Sequence, residues 1–212
     1  MKAIVIRVPH APQNEFKSVW SISLSWNLTK NSTDIFCDGF TQSDLKEVEA
    51  YVSETNTSMR HPFALLVFLI ELLDVYYNKM IQNLGTDIAI LEKKLGITRG
   101  DKGFHGWSWK PEVFRTYTQE CYRLTATPVY LERRIVFLNS LCSFILQCLY
   151  ALEQEAAHDF PGKAMVFSIN ATLTEEVQNV LHLASGQLHQ VRCLEKRLQN
   201  LMSTVCLKLD PC

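Results

Sequence analysis

The stretch Phe114–Leu152, FRTYTQECYRLTATPVYLERRIVFLNSLCSFILQCLYAL, decides the fold predicted for this chain. One set of its residues recurs at spacings that alternate between three and four, and every member except Pro128 is apolar. This pattern predicts a long helix that packs along other long helices. A helix over residues 111–157 would extend roughly 65–70 Å at 1.5 Å per residue, which predicts an elongated bundle or stalk. The set is Phe114, Tyr117, Cys121, Leu124, Pro128, Leu131, Ile135, Leu138, Cys142, Ile145, Leu149 and Leu152.

Pro128 is the irregular member of this set. Inside a helix, proline removes an amide donor and crowds the carbonyl group four residues before it, so the helix kinks or breaks. Thr125 and Thr127 lie beside it and would suit the start of a new helix after a break. Because the spacing keeps its phase across Pro128, we predict one continuous, kinked helix.

Two further stretches, residues 62–95 and 173–207, carry a similar spacing. The first ends before Gly96, a residue type that often follows a helix. The second starts at Thr172–Glu175, which has the pattern of a capping box. With the central helix they predict an up-down-up bundle joined by loops at 97–110 and 158–171. The apolar positions are Leu66, Ile70, Leu73, Tyr77, Met80, Leu84, Ile88, Leu91 and Leu95 in the first stretch, and Val177, Leu181, Ala184, Leu188, Val191, Leu194, Leu198, Leu201 and Val205 in the last.

The first forty residues predict a small antiparallel sheet. In its clearest strand, Trp20, Ile22, Leu24 and Trp26 alternate with serines, so one face would be apolar and the other polar. Such a sheet needs a helix to cover its apolar face. The predicted strands are at about residues 2–8, 19–26 and 33–37.

A short helix at about residues 42–54, capped by Thr41 or Ser43, follows the sheet. The fold class is therefore α+β, mostly α, with a small N-terminal sheet and three long antiparallel helices. We predict a small α/β subdomain over residues 1–58 and the long-helix bundle over residues 59–212.

Composition and charge bear on the class of protein. The formal charge of −1 and the pI near 6.6 give no electrostatic basis for binding nucleic acid or an anionic membrane. The longest apolar run, Phe63–Ile70, is far shorter than the ~20 residues of a membrane-spanning helix, so no membrane insertion is expected. Seven cysteines without a secretory signal predict reduced thiols and a cytoplasmic location.

Catalytic motifs are not found in the sequence. It has no phosphate-binding loop, no dinucleotide-binding glycine pattern, no G-x-S-x-G and no H-E-x-x-H. We therefore predict no catalytic residue and no enzyme. His182 and His189 lie two helical turns apart with Cys193 one turn further, which makes them weak candidates for a metal site. A solvated helix edge is the simpler interpretation, and Cys121 and Cys142 are interpreted as buried apolar groups.

Glu71 and Asp74 lie three residues apart inside an apolar stretch. Two interpretations are open. They could pair with Arg133 or Arg134 of the central helix, or they could line an ion path as weak candidate metal ligands. We favour the structural pairing, because a charge inside a bundle needs a partner.

Several short motifs resemble the cytosolic part of fungal CorA-like proteins of the magnesium-transporter type. The segment His61–Leu66, HPFALL, followed by Glu71, is similar to the H-P-x-L-L-P stretch and acidic residue that open a long helix in that family. The SLSW sequence ending at Trp26 resembles the small sheet before this helix. The patterns of Leu124–Leu138 and Val191–Val205 resemble the long helices that follow. The resemblance covers nearly the whole chain.

Two features depart from that family. Ala64 stands where the motif has its first leucine, and Leu66 stands where it has its second proline. The family's Gly-Met-Asn signature and the membrane segment after its last helix do not occur before Cys212. The resemblance thus implies either a transporter chain shortened before the membrane or a soluble relative, and no transport residue carries over.

The resemblance implies a regulatory or assembly module related to divalent-cation transport. Such a module would act through helix–helix contacts as a homo-oligomer, and Mg²⁺ is the one cofactor that the resemblance suggests. The alternative is a soluble helical scaffold or protein-interaction protein with no role in ion transport. Neither hypothesis includes nucleic acid as a partner.

Overall fold

The computed structural model of the chain describes residues 2–9, 19–27, 32–54, 61–95, 111–155 and 163–207. Helices dominate these residues and a small sheet precedes them, which confirms the predicted α+β class, mostly α. The strands are β1 (Lys2–Pro9), β2 (Val19–Asn27) and β3 (Ser32–Asp38). The helices are α1 (Gln42–Glu54), α2 (Ala64–Lys94), α3 (Pro111–Glu155) and α4 (Lys163–Leu207).

The three strands form one antiparallel sheet in the order β1-β2-β3. Side chains alternate between its faces, as the sequence of β2 predicts. On the inner face Ile22 and Leu24 are buried, and the completely buried Trp20 stacks on Phe40 with ring centroids 4.6 Å apart. The serines of β2 lie on the other face and are partly exposed.

Aromatic contacts join the sheet and α1 to the start of α2. The Trp26 ring meets the Phe63 ring edge-on, with centroids 5.3 Å apart. Tyr51 of α1 stacks on Phe68 of α2, with centroids 4.1 Å apart. Aromatic pairs of this kind contribute about 0.5–1.5 kcal/mol beyond the area they bury. Phe63, directly before α2, therefore packs on the apolar face of the sheet at Trp26.

Thr41 caps α1, which settles the choice between Thr41 and Ser43. The Asp44 amide donates to Thr41 Oγ1 at 3.2 Å, and the Thr41 amide donates to Asp44 Oδ2 at 2.8 Å. Each side chain thus satisfies an amide that the first helical turn leaves without a backbone acceptor.

Contacts between the long helices give their directions. Over residues 73–139 and 182–207, contact partners run in opposite order along α2 and α3, whereas they run in the same order along α2 and α4. There α3 is therefore antiparallel to both other helices, which confirms the up-down-up arrangement. The pairs are Lys94–Glu120 and Met80–Arg134 for α2 with α3, and Asp74–Gln187 and Glu92–Arg197 for α2 with α4.

The predicted apolar stripe of α3 is buried from Cys121 to Leu152. Tyr117 is half-buried, and the side chain of Phe114 lies outside the described residues. The helix continues through Pro128, which is itself buried. The prediction of one continuous helix is therefore confirmed, while the kink stays a prediction.

The stripe predicted for α2 is also buried along its length, with one local adjustment. Met80 is half-buried and the adjacent Ile81 is buried instead. The buried position thus moves from Met80 to its neighbour Ile81. Such a shift is expected when a helix of 3.6 residues per turn follows an apolar repeat of 3.5 residues.

The start predicted for α4 is wrong by ten residues, because the helix begins at Lys163 and not at residue 173. Thr172–Glu175 lies inside the helix, and the Thr174 hydroxyl donates to the Asn170 carbonyl oxygen one turn earlier at 2.8 Å. Asn170 is buried at a position where the apolar pattern leads one to expect an aliphatic side chain. This polar residue hides the continuation of the stripe from a search for apolar spacing.

The core positions of α4 also differ from those predicted. Val180 and Gln187 are buried, while the predicted Leu181 and Leu188 are only half-buried. The buried set keeps alternating spacings of three and four throughout, so the heptad repeat is more regular than predicted. It consists of Leu173, Val177, Val180, Ala184, Gln187, Val191, Leu194, Leu198, Leu201 and Val205.

The chain divides into two compact units. Unit 1 contains Met1–Leu72 and Ser140–Leu181, and unit 2 contains Leu73–Asn139 and His182–Cys212. The predicted subdomains were 1–58 and 59–212, and their boundary lies outside the described residues, as does the predicted loop at 97–110.

α3 also has the length and composition of a helix that could cross a membrane, over Arg115–Gln154. Its most apolar window of 18 residues has a mean hydropathy of 1.9, and 39% of that window is buried. The sequence-based expectation of no membrane-spanning helix considered only uninterrupted apolar runs. Asn139 and Ser143 interrupt the apolar run in α3, although they add no charge to it. The core helix of a bundle has the same length and composition, so this property alone does not place α3 in a membrane.

Leu138→Ala should destabilise the protein by roughly 2–5 kcal/mol, because Leu138 is completely buried in the α3 stripe. Urea unfolding followed by circular dichroism would measure the change. Leu183→Ala is the matched control, since Leu183 on α4 has 46% of its surface exposed and should change stability by less than about 0.5 kcal/mol. Equal effects of the two substitutions would contradict the assignment of the stripe.

Candidate interaction surface and buried polar groups

Asp74 pairs with a residue of α4. Gln187 Nε2 donates to Asp74 Oδ1 at 2.8 Å and lies 3.3 Å from the Asp74 backbone oxygen. Burial raises the pKa of the Asp74 carboxyl, and the hydrogen bond from Gln187 opposes this rise. The structure thus gives Asp74 an amide donor in place of the predicted Arg133 or Arg134, which satisfies the carboxylate without burying a second charge.

Arg134 lies beside the next turn of α2. Its Nη1 atom is 3.6 Å from the Met80 sulfur. Burial raises the pKa of Tyr77 to about 12, and the charge of Arg134 opposes this rise. All of these residues lie in unit 2, as do Asp74 and Gln187. We call the five residues the polar layer: Asp74, Tyr77, Met80, Arg134 and Gln187. Arg133, by contrast, is exposed.

The predicted metal candidates do not form a site in the structure. His182 and His189 are exposed, and His189 Nε2 lies 3.7 Å from the Cys193 sulfur, one turn further along α4. Glu71 is half-buried on α2. Among the described residues, no three His, Cys, Asp or Glu side chains come together in a way that could hold a metal ion. Cys37, Cys148 and Cys193 are free thiols, and Cys121 and Cys142 are buried as predicted.

Exposed ion pairs connect the three long helices within unit 2. Arg197 of α4 binds Glu92 of α2 through two contacts, at 3.0 and 2.6 Å. Arg192 of α4 binds Glu132 of α3, with Nε and Nη2 both 2.9 Å from one carboxylate oxygen. Lys94 of α2 lies 3.6 Å from Glu120 of α3. These pairs lie at the edges of the buried stripes, as charged residues do in coiled coils.

His61 is a buried titratable group in unit 1, with only 2% of its surface exposed. Its Nδ1 atom accepts a hydrogen bond from the Phe63 amide at 3.2 Å and so caps the turn that leads into α2. Burial lowers the pKa of His61 to about 4, and the neighbouring Asn170 side chain opposes this only in part. The imidazole is therefore neutral at physiological pH.

The exposed side of α3 carries a second apolar row in unit 2. Tyr122, Val129 and Val136 lie seven residues apart and are 59%, 41% and 47% exposed. Tyr130 lies next to this row and is 52% exposed. We call these four residues the outer stripe of α3. They are exposed because the other side of the helix supplies the buried stripe that contacts α2 and α4.

Two of these features were missed by the sequence analysis. Gln187 was passed over because the adjacent Leu188 fits an apolar pattern. A strict alternation of three and four from Leu173 onward would have selected Gln187. The outer stripe was missed because one apolar face was enough to explain α3. The sequence pattern that indicates the outer stripe is the spacing of seven residues between Tyr122, Val129 and Val136.

The stability of the fold should decrease as the pH falls from 6.5 toward 4. The pKa of His61 is about 4 in the fold, against 6.5 for an ordinary histidine. Below pH 6.5 the unfolded chain therefore gains a proton that the folded chain does not accept, whereas above it neither state gains one. The total loss should be about 3 kcal/mol below pH 4, of which urea unfolding at pH 7 and pH 5 would measure about 2 kcal/mol.

His61→Asn is the control for this pH dependence. It keeps a side-chain acceptor for the Phe63 amide but does not titrate. Its loss of stability between pH 7 and pH 5 should be smaller than that of the native chain by about 2 kcal/mol. The same pH dependence in both proteins would show that His61 is not the group responsible.

Gln187→Leu should destabilise the bundle by about 1–3 kcal/mol although it makes the core more apolar, because Asp74 loses this donor. Adding Asp74→Asn should recover part of the loss, since a neutral amide is less costly to leave there than a carboxylate. Gln190→Leu, an exposed position on the same helix, serves as the control and should have little effect. A Gln187→Leu variant as stable as the native chain would contradict the role of this pair.

Comparisons of the chain with protein-family models, with curated proteins and with solved structures each find no match. The surfaces and the buried groups of the chain are therefore what bears on its function. Of these, the buried groups explain stability and helix register, and the outer stripe of α3 is the feature that stability does not explain.

Proposed function

We propose that this chain is an assembly module, a helical bundle that associates with a second copy of itself through the outer stripe of α3. The observation that supports this is the heptad spacing of exposed apolar residues on the side of α3 away from its buried stripe. Isolated exposed apolar residues are common on monomeric proteins, whereas a contiguous row is typical of a surface that binds another chain.

The length and the spacing of the outer stripe favour a helix as the bound element. Tyr122 to Val136 extends over about 21 Å at 1.5 Å per residue, which is long enough for about four turns of a helix–helix contact. A repeat of seven residues matches the repeat of a partner helix that packs by the same rule. A flat or irregular partner surface would not need such a repeat.

The symmetry of the outer stripe favours a second copy of α3. Tyr122 and Val136 are equally far from Val129, so an antiparallel copy places Val129 against Val129 and Tyr122 against Val136. This is the self-complementary contact that a two-fold dimer requires. Arg133 lies between Val129 and Val136 on this side and would come within one turn of Tyr122 of the second copy, where a guanidinium group can lie on an aromatic ring.

The resemblance to CorA-like cytosolic domains is compatible with this proposal and adds a divalent cation to it. In that version the assembly belongs to a module related to cation transport, and its oligomeric state should respond to Mg²⁺. In the scaffold version the assembly is indifferent to the ion. Light scattering on a sizing column, with and without millimolar Mg²⁺, distinguishes the two versions.

At micromolar concentration, Val129→Glu and Val136→Glu should each convert the oligomer to a monomer, because a carboxylate would be buried in the contact without a partner. Light scattering at matched concentrations would measure the mass. Far-UV circular dichroism would show that the helices remain, which is expected since both residues are exposed in the single chain.

Val75→Glu is the matched control for these variants. Val75 lies on α2 in the same unit and is 60% exposed, but it does not belong to the outer stripe. It should leave the mass unchanged. A native chain that stays monomeric at high concentration, or a Val75→Glu variant that dissociates as Val129→Glu does, would contradict the proposal.

A further inference from the structure

The outer face of the sheet in unit 1 is a second exposed surface with apolar side chains. Val5 on β1 is 66% exposed and Phe36 on β3 is 68% exposed. Ser23 and Ser25 of β2 lie between these two strands. Together these residues line an open groove of about 220 Å³.

The strand register arranges this face in rows. Val5, Ser23 and Phe36 lie side by side across the three strands. A second row contains Arg7, Ser21 and Asp38, and a third contains Ala3, Ser25 and Asp34. Every row therefore has a serine in the middle, and the positive charge and the negative charges lie on opposite edge strands.

We propose that a second copy of the chain packs the same sheet face against this one, about a two-fold axis parallel to β2. That axis places β1 of one copy over β3 of the other. Arg7 then faces Asp38 of the second copy, Asp38 faces its Arg7, and Val5 faces its Phe36. The charge pair and the apolar pair each form twice, as a two-fold contact requires.

The charges select this arrangement over the other two-fold packing. An axis perpendicular to the strands would place Asp38 over Asp34 of the second copy, and like charges in contact are unfavourable. The row of serines on β2 also allows the two sheet faces to approach closely. Its small side chains leave room for the Phe36 ring to lie over the middle strand when two sheets approach to about 10 Å.

The size of the face predicts a weak contact. Three strands at about 4.8 Å spacing and seven residues at about 3.3 Å give roughly 300 Å² per copy, well below the ~800 Å² per partner of a stable interface. The association should therefore be concentration-dependent and add to any contact made by α3. It does not depend on the outer stripe of α3, so the test is made in the Val129→Glu background.

Charge reversal tests the proposal by sedimentation equilibrium between micromolar and millimolar concentration. Arg7→Glu and Asp38→Arg should each weaken self-association roughly tenfold or more, because two attractive pairs become two repulsive pairs. The double variant Arg7→Glu/Asp38→Arg should regain the native association constant. An equimolar mixture of the two single variants should also associate, since all four facing charges are then opposite in sign.

Two further variants complete the test. Phe36→Ser should weaken association and leave the fold intact, because its side chain is largely exposed in the single chain. Lys46→Glu reverses an exposed charge on α1, which is not part of the sheet, and should have no effect. The proposal is overturned if the double variant stays as weak as the single ones, if the mixed variants do not associate, or if the Val129→Glu chain remains monomeric at millimolar concentration.

Discussion

The burial of one side of α3 between α2 and α4 is the interaction on which the other features of the bundle depend. Leu131, Ile135 and Leu138 are completely buried there, and each side chain of this size contributes about 1.5–3 kcal/mol when it is removed from water. An exposed ion pair contributes only about 0.2–1 kcal/mol. Apolar burial therefore holds the helices together, and the polar contacts have to be explained by something other than their strength.

The polar layer explains how the helices find their register. Apolar stripes with a seven-residue repeat can slide past each other by one heptad and remain apolar. Gln187 reaches Asp74 in only one of these positions. A shift of one heptad would bring Val180 or Leu194 to the place of Gln187 and leave the Asp74 carboxylate without this donor, which is costly in a partly buried place.

Apolar periodicity predicted the elements of this fold well and its polar core residues poorly. The stripe of α3, the alternation in β2 and the cap at Thr41 follow from side-chain spacing and local hydrogen bonding, which are properties of short segments. Asn170 and Gln187 occupy core positions because of partners more than twenty residues away in sequence. Such pairs cannot be read from spacing, and they caused both the late start predicted for α4 and the wrong core positions in it. The outer stripe of α3 was visible in the sequence. The sequence alone does not show which of the two apolar faces of α3 is buried and which remains exposed.

The ion pairs of unit 2 also distinguish the two possible hands of the bundle. Three helices in up-down-up order can turn to the left or to the right, and apolar stripes pack about equally well in either. Here α2 presents Glu92 to Arg197 of α4 and Lys94 to Glu120 of α3. In the mirror arrangement α3 and α4 would exchange sides, so Arg197 would approach Lys94 and Glu120 would approach Glu92. Pairs that add little to stability would then become repulsive, and this difference disfavours the mirror image.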